Sequence, residues 1–330
     1  MTSATNGHAM PKLTPLAPDL PRLRKLLAEN LPWTPHDYIP GLSRKGDRDL
    51  WAEQLTGPLL PEIDLRFGCT LADGTSVGLF AEYLPWDSEF FGYGVARLNG
   101  IWPLAPPRLE PALNYGPALA ALLHRAVHRD VRYLFAQVDP RDLPLLRALG
   151  ELGFALIETR YYQHGPVIVP QMPERYPVRL AREEDIASLA RAASQTVNLY
   201  DRFHADPFIR PEDAARLMER WVEQSVRGKL ADVTIVPDVV DPGAFVTYRY
   251  HREKWSRWGV NLVQGVLSAV SPEFMGWMGK LAPEVNLHLR SMGAEYSFGS
   301  TQVTNRPIIW FAQEAGARFG KCEHVLRIVL

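Results

Sequence analysis

A chain of 330 residues, 46% apolar and 22% charged, has the length and composition of a folded protein of one large domain or two, with a sizeable core. Its formal net charge of −1 offers no broad basic surface for nucleic acid, and no apolar run is long enough to span a membrane. The two cysteines, Cys69 and Cys322, match neither a disulfide framework nor a zinc pattern. No His-Glu-x-x-His or Cys/His cluster occurs, so a metal site is not expected. Both thiols are expected to be buried in a reducing cytoplasm. Residues 1–16 lack an apolar signal-peptide core and read as a frayed tail.

Residues 19–30 read as an amphipathic helix with Leu20, Leu23, Leu26 and Leu27 on one face. Proline-rich connections are expected from there to about residue 61. Ile63 to Phe67 alternates apolar and polar as a half-buried strand does. Asp73-Gly74 then marks a hairpin turn over 71–75, with residues 76–83 returning. The run Leu84-Pro85-Trp86-Asp87-Ser88-Glu89-Phe90-Phe91-Gly92 holds three aromatics and two acids in nine residues. Two readings of it stand. One is a packed corner that buries Trp86 and Phe91 on a neighbouring helix, which composition alone favours. The other is a ligand-cleft wall where rings stack and Asp87 or Glu89 accepts hydrogen bonds. A strand over 94–101, a helix over 118–129 and a strand over 133–138 follow. The next helix, 143–152, has Asp142 as its N-cap, Pro144 in its first turn and Gly153 just past its end. A strand over 154–162 and a proline-containing linker over 165–176 complete the first half.

The second half begins with a strand at 178–180 and a helix over 183–194 whose Ile186, Leu189 and Ala193 face inward. The loop 200–207 leads to a helix over 211–226. Strands over 232–236 and 244–251 precede a central strand over 265–270, apolar but for Ser268. Residues 251–254 between them read as a solvated turn. Residues 274–292 are mostly helical, 296–301 a strand, 305–314 a helix closed by Gly316, and 324–329 the last strand. The two halves echo each other. Tyr133-Leu134-Phe135-Ala136-Gln137, a helix, Gly153 and a strand form one copy. Tyr296-Ser297-Phe298-Gly299-Ser300, a helix, Gly316 and a strand form the other.

Three stretches carry a resemblance to a known family. They are the Trp86 to Gly92 run, then Arg202-Phe203-His204 with Trp221-Val222 and Val226-Arg227-Gly228, and Thr301-Gln302 with the Asn305-led helix and Gly316. Over residues 80–330 the chain resembles the GNAT superfamily of acyl-CoA N-acyltransferases. Within it, the chain is similar to the two-domain TDP-fucosamine N-acetyltransferases. The resemblance implies an α/β fold of tandem GNAT-like domains. A 1–61 extension precedes a truncated unit at 62–170 and a complete acyl-CoA N-acyltransferase unit at 177–330. It implies that the central strand splays from its neighbour and pairs its backbone with the pantetheine arm of acetyl-CoA or another acyl-CoA. The next loop would point amide groups at the pyrophosphate. Donor contacts would fall on Leu267, Ala269, Val270, Gly276, Gly279, Lys280 and Asn305. Acceptor contacts would fall on Trp86, Asp87, Phe91, Arg202 and Tyr248, with His204 the catalytic candidate.

The chain departs from the family at two places. The family loop Arg/Gln-x-x-Gly-x-Gly/Ala is here Glu273-Phe274-Met275-Gly276-Trp277-Met278, with an acid first and Met278 at the second small position. Gly279 would substitute in a shifted register, and Lys280 would supply charge. Pro283 either interrupts the following helix or restarts it. The family's acid is a Tyr on the last helix, and Ala312 stands at that position. Residue by residue, alternatives stay open. Asn305 is a CoA contact or a helix N-cap. His204 is a base or acceptor donor, or a loop histidine on a backbone carbonyl. Arg202 holds a nucleotide-sugar phosphate or pairs with Asp206. Tyr248 and His251 lie on opposite strand faces, so at most one sees a cleft. The expected function is acyl transfer from acyl-CoA to the amine of a nucleotide-linked amino sugar. The competing reading is a catalytically degenerate GNAT-like binding or assembly protein. Small molecules are the expected partners, with no nucleic acid and no membrane, and a homodimer is allowed for.

Overall fold

A computed structural model of the chain describes residues 10–16, 20–57, 65–105, 110–169 and 175–330. Two compact units divide it, and neither is continuous in sequence. Unit 1 takes residues up to 37, 44–159 and 322–330; unit 2 takes 38–43 and 160–321.

Unit 1 contains β1 (Thr14–Pro15), α1 (Leu20–Asn30), α2 (Arg44–Leu55), β2 (Leu65–Thr70), β3 (Ser76–Tyr83), α3 (Pro85–Phe91), β4 (Gly94–Pro103), α4 (Gly116–Val127), β5 (Val131–Val138) and α5 (Leu143–Glu151). β2 and β3 form the expected hairpin, with Leu65 opposite Ala81 and Thr70 opposite Ser76. Its turn closes through Leu71 N–H to Thr75 O at 2.8 Å, with Gly74 at φ +88°. β3 is buried on both faces because both are covered. Val77, Leu79 and Ala81 join a core with Leu119 and Leu122 of α4 and Leu145 and Leu149 of α5. Phe80 points the other way, into a cluster with Leu23, Leu27, Ala52 and Leu55 of α1 and α2.

β6 (Ala155–Pro166) passes from unit 1 into unit 2. Unit 2 continues with β7 (Val178–Leu180), α6 (Ile186–Gln195), α7 (Pro211–Val226), β8 (Val233–Pro237), β9 (Ala244–Arg249), α8 (Arg252–Trp258), β10 (Leu262–Val270), α9 (Trp277–Ser291), β11 (Tyr296–Gln302) and α10 (Arg306–Glu314). β12 (Arg318–Val329) then returns to unit 1. Side chains alternate between two cores. Ile235, Val246 and Val263 meet Leu281, Val285 and Leu289 of α9. Val236, Phe245 and Ala269 meet Leu189 and Ala193 of α6 and Val222 of α7.

The sequence echo is a structural repeat. α5 ends with Gly153 N–H to Gly150 O and Phe154 N–H to Leu149 O; α10 ends with Gly316 N–H to Gln313 O and Ala317 N–H to Ala312 O. Both are the paired closure that a left-handed residue permits, and both glycines have it, at φ +81° and +88°. The closing strands are exchanged: residues 160–166 of β6 pair with β11, and residues 324–329 of β12 pair with β5.

Some expectations are corrected. α2 occupies a stretch read as proline-rich connection. Its apolar period is weak, and it is held instead by the buried Asp47 carboxylate, 2.9 Å from His36 Nδ1. Prolines 58 and 61, part of the 63–67 strand, the first nine residues and 170–174 of the linker lie outside the described residues. Gly165 and Pro166, read as linker, belong to β6. Residues 251–254 are no solvated turn: α8 begins there and ends on the buried Trp258. Cys69 is buried, but Cys322 is half-buried. Among the described residues no helix is long and apolar enough to cross a membrane.

Candidate functional site

The site begins where two strands part. β10 runs parallel to β11 for only three register pairs, ending at Gln264 opposite Phe298. β11 continues to Gln302 against β6, while β10 continues to Val270 against β9. From Gly265 onward β10 therefore has an edge that β11 does not cover. Two glycines, Gly265 and Gly299, stand at the parting, and a Cβ on Gly299 would make ordinary contact with Gly265 O at 3.7 Å. A bulge at Val266 bends β10 at the same point.

Hydrogen bonds say which groups face the open edge. Leu267 N–H donates to Thr247 Oγ1 at 2.8 Å, and Thr247 Oγ1 donates to Leu267 O at 2.9 Å. Ser271 N–H donates to Gly243 O at 2.8 Å. Leu267, Ala269 and Ser271 thus turn their backbone toward β9, and strand alternation turns Ser268 and Val270 toward the opening. Ser268 is exposed. Of the sequence candidates, Leu267 spends its backbone on Thr247. Ser268, noticed only as the polar exception, presents the edge. Unpaired backbone of this kind accepts an extended amide-bearing chain.

The segment after α6 is tied to both parted strands. Thr196 Oγ1, which donates to Ala192 O at 2.8 Å, lies 3.4 Å from Val270 O, and Asn198 Nδ2 donates to Gln302 Oε1. Further along, Asp201 organises its own turn. Its Oδ1 accepts from the amides of Phe203 and His204 at 2.8 and 3.0 Å, and its Oδ2 lies 2.7 Å from His204 Nδ1. The partner of His204 is a carboxylate, not the backbone carbonyl expected. A carboxylate only accepts, so Nδ1 carries the proton and Nε2 is left as the basic nitrogen. The Arg202 guanidinium lies 4.3 Å over the Phe203 ring, which meets Trp221 of α7 edge-on.

Tyr248 sits opposite Gly265, where β10 leaves β11, and burial raises its phenol above the ordinary value. It is therefore a protonated hydroxyl at neutral pH. His251 is not on the strand face read from the sequence. It precedes α8 at φ +54°, with Nε2 2.9 Å from Gln264 Oε1 and its ring stacked on Phe298 at 6.5 Å. It touches both members of the last β10–β11 pair, a role with no local sequence signal. Burial holds this imidazole below its ordinary pKa, hence neutral.

The loop after β10 is built inward. Phe274 packs so closely on Gly243 that a Cβ there would meet its ring at 2.5 Å. Gly276 adopts φ +89° at the start of α9. The Glu273 carboxylate is held below the ordinary range by its own amide and by the Ser271 hydroxyl. Lys280 lies 4.9 Å over the Trp277 ring, and Gly279 is exposed in the first turn. Pro283 neither interrupts nor restarts the helix; α9 runs through it. Asn305 stands at the N-cap position of α10 but makes no capping bond, and its amide donates to Thr301 Oγ1 at 2.9 Å. Ala312 is half-buried on α10, beside Trp310, which is 63% exposed.

In unit 1, the aromatic corner is the helix α3. Ser88 is its one buried residue, accepting from Val95 N–H at 2.9 Å. Trp86 and Phe91 are half-buried, between the two readings of this run. Trp86 stacks on Phe90, Phe90 meets Phe91 edge-on and Phe91 stacks on Tyr93, with ring centroids 5.0 to 6.0 Å apart. Asp87 shares that helix, at the half-buried level of Trp86. Among the described residues no group of three or more His, Cys, Asp or Glu is placed to hold a metal ion.

The chain matches no family model and no curated protein. Solved structures do resemble it. A tandem GNAT protein from the clavulanic acid biosynthesis pathway is 15% identical, with 97% of this chain and 98% of that one covered at a TM-score of 0.55. A GCN5-related N-acetyltransferase from Sphaerobacter thermophilus is 12% identical, with 86% and 85% covered at 0.54. A GCN5-related glucosamine N-acetyltransferase region of a fungal multi-domain β-N-acetylglucosaminidase is 11% identical, with 96% of this chain and 38% of that one covered at 0.58. The chain has a tandem GNAT-like α/β fold.

Proposed function

We propose that unit 2 transfers an acyl group from a pantetheine-type thioester, acyl-CoA in the first instance, to a primary amine. The observation that carries this reading is the open edge of β10 beyond Gly265, with Ser268 presenting its backbone there. The donor's amide arm pairs with that edge as an added strand would. The amine nitrogen attacks the thioester carbonyl carbon, a C–N bond forms, the C–S bond breaks, and the amine's proton passes to a base. His204, oriented by Asp201 through Nδ1, offers its other ring nitrogen, Nε2, to that proton. Ala312 offers the departing thiolate no proton; the Tyr248 phenol is the group of this region able to give one.

The acceptor is an amine on a nucleotide-linked amino sugar. This rests on the likeness of the Trp86 to Gly92 and Arg202-Phe203-His204 stretches to sugar-nucleotide acetyltransferases. A second reading, a binding or assembly protein without transfer, is favoured by Ala312 and by Glu273 in the loop. Calorimetry with CoA and acetyl-CoA, then mass spectrometry of acetyl-CoA with TDP-linked amino sugars, separates the two. Binding with N-acetylated product supports transfer. Binding without product under any acceptor leaves the second reading, and no heat with either CoA or acetyl-CoA removes the first.

A further inference from the structure

Acyl-CoA carries its charge at the nucleotide end, so a site built for the whole molecule needs cations or free amides where the phosphates lie. The loop from Ser271 to Lys280 directly follows the open edge of β10 in the chain, so a donor paired with that edge would meet it next. It holds one acid and one base. The Lys280 ammonium lies 4.9 Å over the Trp277 ring and keeps its charge, so the loop's two formal charges sum to zero. The acid is fixed in its ionised form by the Ser271 hydroxyl and its own amide. Glu273 stands three residues before Gly276, a reach of at most ~11 Å along the chain, within about one Debye length of the first turn of α9. The first amides of α9, which have no intrahelical acceptors, would attract an anion, but this carboxylate opposes that attraction. The rest of the loop is apolar. Met275 is 84% exposed, Phe274 and Trp277 pack 6.2 Å apart, and Met278 follows.

We propose that this site reads its donor through the neutral pantetheine arm and leaves the anionic nucleotide end unread, so that phosphate-free pantetheine thioesters serve nearly as well as acyl-CoA. The inference rests on the open-edge reading above and narrows it. The edge of β10 recognises amides, and the exposed Met275 and the Trp277 ring offer contact to an uncharged chain. The donor class then extends to any acyl-pantetheine, whatever carries its far end.

The test is calorimetry on the full chain with two probes, CoA and pantetheine, each at about 50 and about 200 mM salt, where screening of exposed charges differs most usefully. The expected result is dissociation constants within about tenfold of each other and a CoA affinity that hardly moves with salt. Glu273→Gln should tighten CoA by roughly three- to tenfold and leave pantetheine unchanged, because it removes the opposing charge at an exposed position. CoA binding more than about 100-fold tighter than pantetheine and weakening steeply with salt overturns the inference while keeping the acyl-transfer reading. An unchanged CoA affinity in Glu273→Gln also counts against it, since the carboxylate would then exert no effect. If neither probe binds, the open-edge reading fails and the inference falls with it.

Discussion

The parallel strand pairs of the two units end differently. In unit 1, β4 and β5 pair from Gly94 opposite Val131 to Leu98 opposite Ala136, with a register shift after the first pair, so four pairs share one register. In unit 2, β10 and β11 hold register for three. Beyond its last β5 partner, β4 is plugged. Gly100, Ile101 and Trp102 are buried, and the Trp102 ring lies so close over Gly100 that a Cβ there would meet it at 2.5 Å. Trp33 meets that indole edge-on at 5.4 Å, and the cluster of α1 and α2 covers both. Beyond its last β11 partner, β10 is half-exposed except at the buried Ala269, and Ser268 is exposed. The same repeat has been turned into scaffold in one unit and left open in the other. The difference lies in what was placed on the strand after it parts, not in the strand pair itself.

The sharpest way to break this comparison is to pull the plug. Trp102→Ala removes a buried indole from the α1–α2 cluster and should cost ~3–5 kcal/mol, lowering the melting temperature by roughly 10 °C. Scanning calorimetry reads the loss. A melting temperature within a degree or two of the parent would mean the cluster does not hold unit 1 closed.

The repeats also differ at the residue that starts each helix: Asp142 before α5, Asn305 before α10. Asp142 is 1% exposed, accepts from Leu145 N–H, and has its carboxyl raised from 3.8 to about 7 by burial and by Asp139. The native state therefore binds this proton more tightly than the unfolded chain. The protonated form's contribution is fully present below pH about 4 and is lost as pH rises through about 7. Asp142→Asn keeps the capping oxygen and removes the charge. It should stabilise the protein on the order of 2 kcal/mol at pH 8 and flatten urea midpoints between pH 4 and 8. Equal midpoint shifts at both ends of that range would show the carboxyl is not the titrating group.

The open edge itself is tested by two prolines. Ser268→Pro removes the N–H that faces the opening and leaves the β9 side intact. Donor binding should weaken roughly three- to tenfold with little change in melting. Leu267→Pro removes the N–H that Thr247 Oγ1 accepts, so it should destabilise the fold instead. If the two variants exchange their effects, the assignment of which residues face the opening is reversed.

Much of the scaffold is legible in the residues, because its signals are local. Asp73-Gly74 sets the β2–β3 hairpin, and Pro211 to Val226 bounds α7 as observed. Gly153 and Gly316 announce both helix closures and, with them, the repeat. α2 and α8 are missed because few of their positions are apolar, and tertiary contacts such as His36 with Asp47 hold them in place of periodicity. α3 is missed because its aromatic content masks a proline-started, glycine-ended helix. The site is less legible because it is a matter of register. Where β10 leaves β11 depends on pairings far apart in sequence. The Asp201–His204 pair is legible in the residues, since Asx turns bring such spacings together.

The smallest expected effect concerns His251, the side chain that touches both Gln264 and Phe298 at the last β10–β11 pair. Its backbone is left-handed at φ +54°, a conformation that costs a non-glycine residue ~1–2 kcal/mol. Its ring gains a hydrogen bond of about the same worth. His251→Gly therefore trades strain against contact, and the net change in stability should fall within about 1 kcal/mol of zero. The position of the parting is another matter. Without the imidazole, Gln264 loses its partner at the point where the edge opens, and β10 can pair with β11 for a residue more. Donor affinity should then fall about two- to threefold, the size of a weak hydrogen bond, while the melting temperature holds. Hydrogen exchange at Gly265 and Val266 gives a readout independent of binding. Slower exchange there in the variant marks a longer ladder and a narrower opening, as expected. Faster exchange with unchanged donor affinity would make His251 a support for α8 alone.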